Sequence, residues 1–176
     1  RLATDSEIDA IQNLENAVWK QGAYQFYRKL HGLYPEGILV AANEDLLGYA
    51  AVERIDDDDL VSSMPPWSHD PETYHKQDGN IWYILNHTVS RDAETHKLKR
   101  ADVSDAILKG LFERGLKNDG ISQIAVMYWL RHDKLRHPQD LWGRHGFEPI
   151  GRTYDPNWGP YPGEERTGGI IWLRSV

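Results

Sequence analysis

"IWYILNHTVSRDAETHKLKRADVSDAILKGLFERGLKNDGISQIAVMYWL", residues 81–130, decides the fold. It opens on a nearly continuous apolar run, Ile81 to Val89, as in a strand covered on both faces. It closes on a second such run, "ISQIAVMYWL". Between them "DVSDAILKGLFERGL" repeats apolar residues at helical spacing, with Val103, Ile107, Leu111 and Phe112 inward. "NDG" stops that helix. Strand, helix and strand at this length form a βαβ unit, so the two strands are expected to be parallel.

The junction inside that unit is "THKLKRADVSDAIL", Thr95 to Leu108. A helix N-terminus offers unpaired N–H groups and the positive end of a dipole, and so holds anions. Here the donors are expected to be Val103, Ser104 and Asp105, with the charges of Lys97, Lys99 and Arg100 just before them. The stretch contains no glycine, which limits close backbone approach. Asp102 is the best N-cap, since its carboxylate can accept from the N–H of Asp105. Two readings stand side by side: a phosphate site built on basic side chains, or a capped helix behind a solvated basic turn.

Working outward, "TDSEIDAIQNLENAVW" reads as a helix capped by Thr4 and Glu7, with Ile8, Ile11, Leu14 and Val18 on one face. "AYQFYRKLHGL" reads as a second helix. "ILVAANEDLLGYAAVERI" reads as an antiparallel hairpin turning at "NED". A long loop follows, from Asp56 to Asn80, opening on four consecutive aspartates, Asp56 to Asp59, and carrying Pro65, Pro66 and Pro71. Beyond residue 130, "PQDLWGRH" is a short helix, and "GFEPIGRTYD" and "GGIIWLRSV" are two closing strands. The expected architecture is a single α/β domain over 1–176, a mixed and mostly antiparallel sheet with one parallel pair, flanked by helices.

Composition narrows the function. With 20 basic against 27 acidic residues the net charge is −7, which disfavours nucleic acid as a partner. No apolar run approaches the ~18 residues of a membrane span, so no membrane partner is expected. The chain has no cysteine, which removes thiol nucleophiles and thiolate metal sites and fits a reducing, cytoplasmic compartment. No signal peptide is visible, and the start at Arg1 suggests that a few residues precede it. Trp67, Tyr74, Trp158 and Tyr161 lie in loops, where aromatics either line a ligand or pin the loop to the core. Asp56 to Asp59 read as a solvated loop, with a cation or amine site as the alternative. His132, Asp133 and His137 do not match a chelating pattern, so no metal is expected.

Four stretches, in this order, resemble the GNAT superfamily of N-acyltransferases: "RLATDSEID", "ILVAANEDLLGYAAV", "ILNHTVSRDAE" and "LWGRHGFEPIGRT". They span nearly the whole chain. The resemblance implies acetyl-CoA or another acyl-CoA as cosubstrate, bound between the strands at 81–89 and 122–129, and an amine of a small molecule or peptide as acceptor. It implies homodimers by analogy with many members. It places the backbone of Val89 on the pantetheine arm, and Tyr83 near the position where several members carry a base. It also implies a bulge in this strand beside the thioester.

By its own chemistry His87 can deprotonate an ammonium near neutral pH, directly or through water, with a satisfied core histidine as the alternative. Tyr83 and His87 are four apart and are expected on one face. The segment Arg131, Lys134 and Arg136 could meet the nucleotide end of CoA. The chain departs from the family pattern in three places. Asp102 and Ser104 stand where the pyrophosphate loop has glycines, with Lys99 at its first basic position. Trp142 stands where a Tyr often acts as general acid, with Tyr128 and Tyr154 as substitutes. No Asn lies between Leu130 and Phe147. A GNAT-fold binding or regulatory module without transferase activity is the second expectation.

Overall fold

The computed structural model describes residues 1–19, 26–56, 71–117, 120–129, 138–153 and 169–175. In chain order these carry α1 (Ile8–Trp19), α2 (Phe26–Leu33), β1 (Ile38–Ala42), β2 (Leu46–Ile55), α3 (Pro71–Tyr74), β3 (Ile81–Val89), α4 (Arg100–Gly115), β4 (Gln123–Trp129), α5 (Pro138–Arg144), β5 (Glu148–Thr153) and β6 (Gly169–Ser175). Among the described residues no helix is long and apolar enough to cross a membrane.

The entry to α1 is fixed locally. The Glu7 carboxylate accepts from the Thr4 N–H at 2.9 Å and the Thr4 hydroxyl at 2.8 Å, and Arg1 donates to the same group at 2.7 Å. Those contacts hold the Glu7 carboxyl down at about 2, the Arg1 hydrogen bond being the largest cause. Ile8 and Ile11 are then buried on the inward face, with Glu15 one heptad beyond Ile8.

The six strands run in the order β1-β2-β3-β4-β6-β5. The hairpin β1–β2 closes as expected at "NED", where Asn43 accepts the Asp45 N–H at 2.8 Å. An isolated antiparallel bridge joins Leu2 to Leu39 at the edge of the sheet. β3 and β4 are the parallel pair, and every other pairing is antiparallel. The mixed sheet expected from the sequence is therefore present.

The helices cover opposite faces. Tyr49 of β2 bonds Glu15 of α1, whereas a Cβ on the adjacent Gly48 would lie 3.0 Å from Ile107 of α4. Successive strand residues face opposite ways, so α1 and α2 lie on one side and α4 on the other. Gly48 is obligatory for a second reason, because that Cβ would sit 2.7 Å from the Thr88 carbonyl.

One irregularity governs everything near the candidate site. Ala51 pairs with Asn86 and Val52 with Ile84, so Leu85 is an extra residue in β3. A bulge of this kind reverses the side-chain alternation beyond it. Tyr83 pairs with Glu53 on the α1 face, while His87 pairs with Ala50 on the α4 face. The expectation that Tyr83 and His87 share a face is corrected: period-2 counting fails by one residue at Leu85. The implied bulge itself is present.

Candidate active site

The parallel pairing of β3 and β4 runs from Ile81–Gln123 to Ile84–Val126 and stops there. Both strands continue, β3 to Val89 and β4 to Trp129. The β4-side edge of Leu85–Val89 therefore has no strand partner among the described residues, and the sheet opens at the bulge.

On the α4 face of that opening His87 shares a hydrogen bond of 3.3 Å with the Ser104 hydroxyl. The His87 imidazole is lowered to about 4: burial is the largest cause, a hydrogen bond from Ser104 opposes it, and the smaller effects of His145 (lowering) and Asp105 (raising) follow. His87 is thus neutral at pH 7. Trp142 packs edge-on against it, with ring centroids 6.1 Å apart. Asp105 accepts from His145 Nε2 at 3.0 Å and from Arg144 at 3.1 Å, tying α4 to the end of α5. Trp142 also meets Phe147 at 5.2 Å, and Phe147 meets Phe112 at 5.7 Å, so α5 is clamped onto α4 by aromatic packing.

The basic junction is arranged differently from expectation. α4 begins at Arg100, with Lys99 extended at the N-cap and no side-chain cap bond. Asp102 is not the cap; it lies in the first turn, where a negative charge is equally favoured by the dipole. The N–H groups of Asp102 and Val103 both go to the Lys99 carbonyl, at 2.9 and 3.2 Å. Val103 and Ser104 are buried, and they contribute packing and the His87 bond in place of an open helix mouth. Lys97, Lys99 and Arg100 are exposed together just outside. Arg100 donates to the Val89 carbonyl at 3.2 Å, occupying an acceptor on the strand end that was expected to meet pantetheine.

Lys97 takes the left-handed conformation, φ 59°, that a glycine would adopt freely. Lys97→Gly is expected to stabilise the chain by about 0.5–1 kcal/mol, the strain relieved exceeding the extra chain entropy. Urea denaturation of the variant against the parent checks this. A loss of stability would show that the Lys97 side chain holds the turn.

Tyr83 is fully buried, and burial followed by Glu53 pushes its phenol far above 10. It stays protonated and does not act as a base. The sequence reading also missed a buried network on the α1 face. Tyr49 donates to Glu15, Thr88 reaches the same carboxylate at 3.3 Å, and Tyr27 and Tyr49 share a bond of 2.7 Å. Asn86, the residue after the bulge, donates to Tyr27 at 2.6 Å. Burial raises the Glu15 carboxyl despite these donors. The signal was a carboxylate at the heptad position of a helix's apolar face. Trp67, Asp57, Asp58, Asp59, Arg131, His132, Asp133, Lys134, Arg136, His137, Tyr154, Trp158 and Tyr161 lie outside the described residues, as does the side chain of Tyr128.

No protein-family model matches the chain, and no curated protein matches it in sequence. Solved structures do match its fold. The GphF GNAT-like decarboxylase in complex with isobutyryl-CoA is 18% identical with a TM-score of 0.76, over 99% of this chain and 97% of that one. The loading GNATL domain of CurA from Lyngbya majuscula is 15% identical with a TM-score of 0.74, over 99% and 96%. Arabidopsis thaliana NAA60 in complex with a bisubstrate analogue is 10% identical with a TM-score of 0.69, over 99% and 95%. The chain has the GNAT fold.

Proposed function

We propose that the chain is an acyl-CoA-dependent N-acyltransferase, moving an acetyl or other acyl group onto a primary amine of a small molecule or peptide. The observation that carries this is the opening of β3 from β4 at the bulge, with His87 on its α4 face and three exposed cations at the start of α4. The bulged strand offers an unpaired edge to an extended arm, and Lys97, Lys99 and Arg100 offer charge to phosphates. The isobutyryl-CoA named for one fold neighbour supports the ligand class.

In the reaction the amine nitrogen attacks the thioester carbonyl carbon. The C–N bond forms, the C–S bond breaks, and sulfur leaves with the electron pair as thiolate. The nitrogen loses one proton. His87, neutral at rest, accepts it or holds the water that does. A thiol of pKa near ~8.5 leaves without an obligatory acid, so an indole at position 142 is compatible with turnover.

Calorimetry with acetyl-CoA, joined to thiol release over a panel of amines, tests the proposal. Micromolar binding with amine-dependent thiol release is expected; absence of binding at millimolar concentration would sink it. Binding without release would favour the second reading, a GNAT-fold binding module. The Arg100 contact to Val89 and the glycine-free junction favour that reading. Assaying carbon dioxide from a carboxyacyl-CoA covers the chemistry named for the GphF neighbour.

Reversing two charges, Lys99→Glu with Arg100→Glu, is expected to weaken acetyl-CoA binding by about 10–100-fold at low salt. The gap should narrow as ionic strength rises. An affinity unchanged at low salt would remove these residues from the phosphate site.

A further inference from the structure

The indole N–H of Trp142 is buried and has no acceptor among the described residues, although Trp142 is only 4% exposed. Buried donors in native proteins are nearly always paired, so an orphan asks for a strained, functional or ligand-directed explanation. His87, which packs against the ring, and the other described polar groups where α4 meets α5 are engaged with one another. Ser104 and His87 bond each other, Asp105 takes His145 and Arg144, and Arg174 donates to the His145 carbonyl at 2.7 Å. The ring packs edge-on against His87, on the α4 face of the part of β3 that has parted from β4.

We propose that the Trp142 indole N–H is the donor reserved for the acyl carbonyl oxygen of the bound thioester. This rests on the acyl-CoA reading above. As the amine adds, that oxygen gains negative charge, and a fixed donor in a site shielded from water stabilises it. The indole gives a hydrogen bond and keeps its proton. The leaving thiolate takes the electron pair, and the amine's proton goes to water or His87. The donor has no acceptor among the described residues because its acceptor arrives with the substrate.

The experiment follows the indole N–H resonances of the ¹⁵N-labelled full chain, with Trp142→Phe identifying the signal. Acetyl-CoA should move the Trp142 resonance downfield in proton shift, and CoA without an acyl group should not. An equal shift with both overturns the carbonyl assignment, as does no shift with bound acetyl-CoA. Calorimetry on the same sample separates the two proposals: no acetyl-CoA binding overturns the acyl-CoA reading and this one with it. Replacing Trp142 by β-(3-benzothienyl)alanine keeps the ring shape and removes only the N–H. Turnover should fall by about 100-fold with an unchanged or higher melting temperature. Unchanged turnover with a higher melting temperature would show a packing orphan and nothing more.

Discussion

Replacing His87 by alanine is expected to lower acyl-transfer turnover by about 10²–10³-fold, the range of a positioned acid–base group. The pH dependence makes the prediction specific. Burial lowers the His87 pKa from 6.5 to about 4. The neutral imidazole that accepts a proton is therefore populated down to that value. Turnover should hold on the acid side until pH approaches 4, and should not fall through a midpoint near 6.5. The same shift predicts stability. A histidine whose folded pKa is depressed contributes stability that is present above 6.5 and lost as pH falls toward 4. The alanine variant should lose that acid sensitivity, recovering about 3 kcal/mol relative to the parent across the window. Denaturation curves at several pH values measure it. His87→Gln refines the role, since an amide keeps a partner for Ser104 and cannot take the proton. A Gln variant with most of the parent turnover would make His87 a water-positioning residue. An Ala variant with parent turnover would remove His87 from the reaction altogether.

The elements were legible because their periods are long and consistent. The hairpin announced itself by two apolar runs around "NED", and α4 by Val103, Ile107, Leu111 and Phe112, all buried. The βαβ order predicted the parallel pair that opens the site. What sequence could not carry was the phase. The resemblance implied a bulge in this strand but not its residue; the extra Leu85 leaves no compositional mark, yet it sends His87 to α4 and leaves Tyr83 with Glu53. The start of α4 was misread for a related reason. Aspartate is favoured both at an N-cap and in a first turn, so Asp102 could not distinguish them, and the left-handed Lys97 settles the turn earlier. Trp142 was visible as an oddity at its position, but the lack of an acceptor for its N–H among the described residues is a property of the packed site.

Glu15 divides into two variants with opposite expected results. Glu15→Ala should cost about 2–4 kcal/mol, because it removes the buried acceptor shared by Tyr49 and Thr88 and opens a void between α1 and β2. It should also lower turnover, since Tyr49 and Tyr27 connect that carboxylate to Asn86 beside the bulge, next to His87. Glu15→Gln keeps the shape and an acceptor for Tyr49, so its effect depends on charge alone. Burial raises the Glu15 pKa above its ordinary 4.5, the reverse of Glu7. The folded chain holds that proton more tightly than the unfolded chain. Stability is therefore fully present below 4.5 and declines as pH rises through the raised value, where a buried carboxylate must form. Glutamine removes that penalty. The Gln variant should match or fall slightly below the parent near pH 4 and gain on it as pH rises above 4.5 through the raised value, while the Ala variant stays below the Gln variant throughout. Urea denaturation across that range distinguishes the cases. Parallel curves for Gln and parent would mean that Glu15 ionises as easily in the fold as in water. In that case the hydroxyls of Tyr49 and Thr88 fully solvate its charge, and the network holds a carboxylate at the back of the bulge.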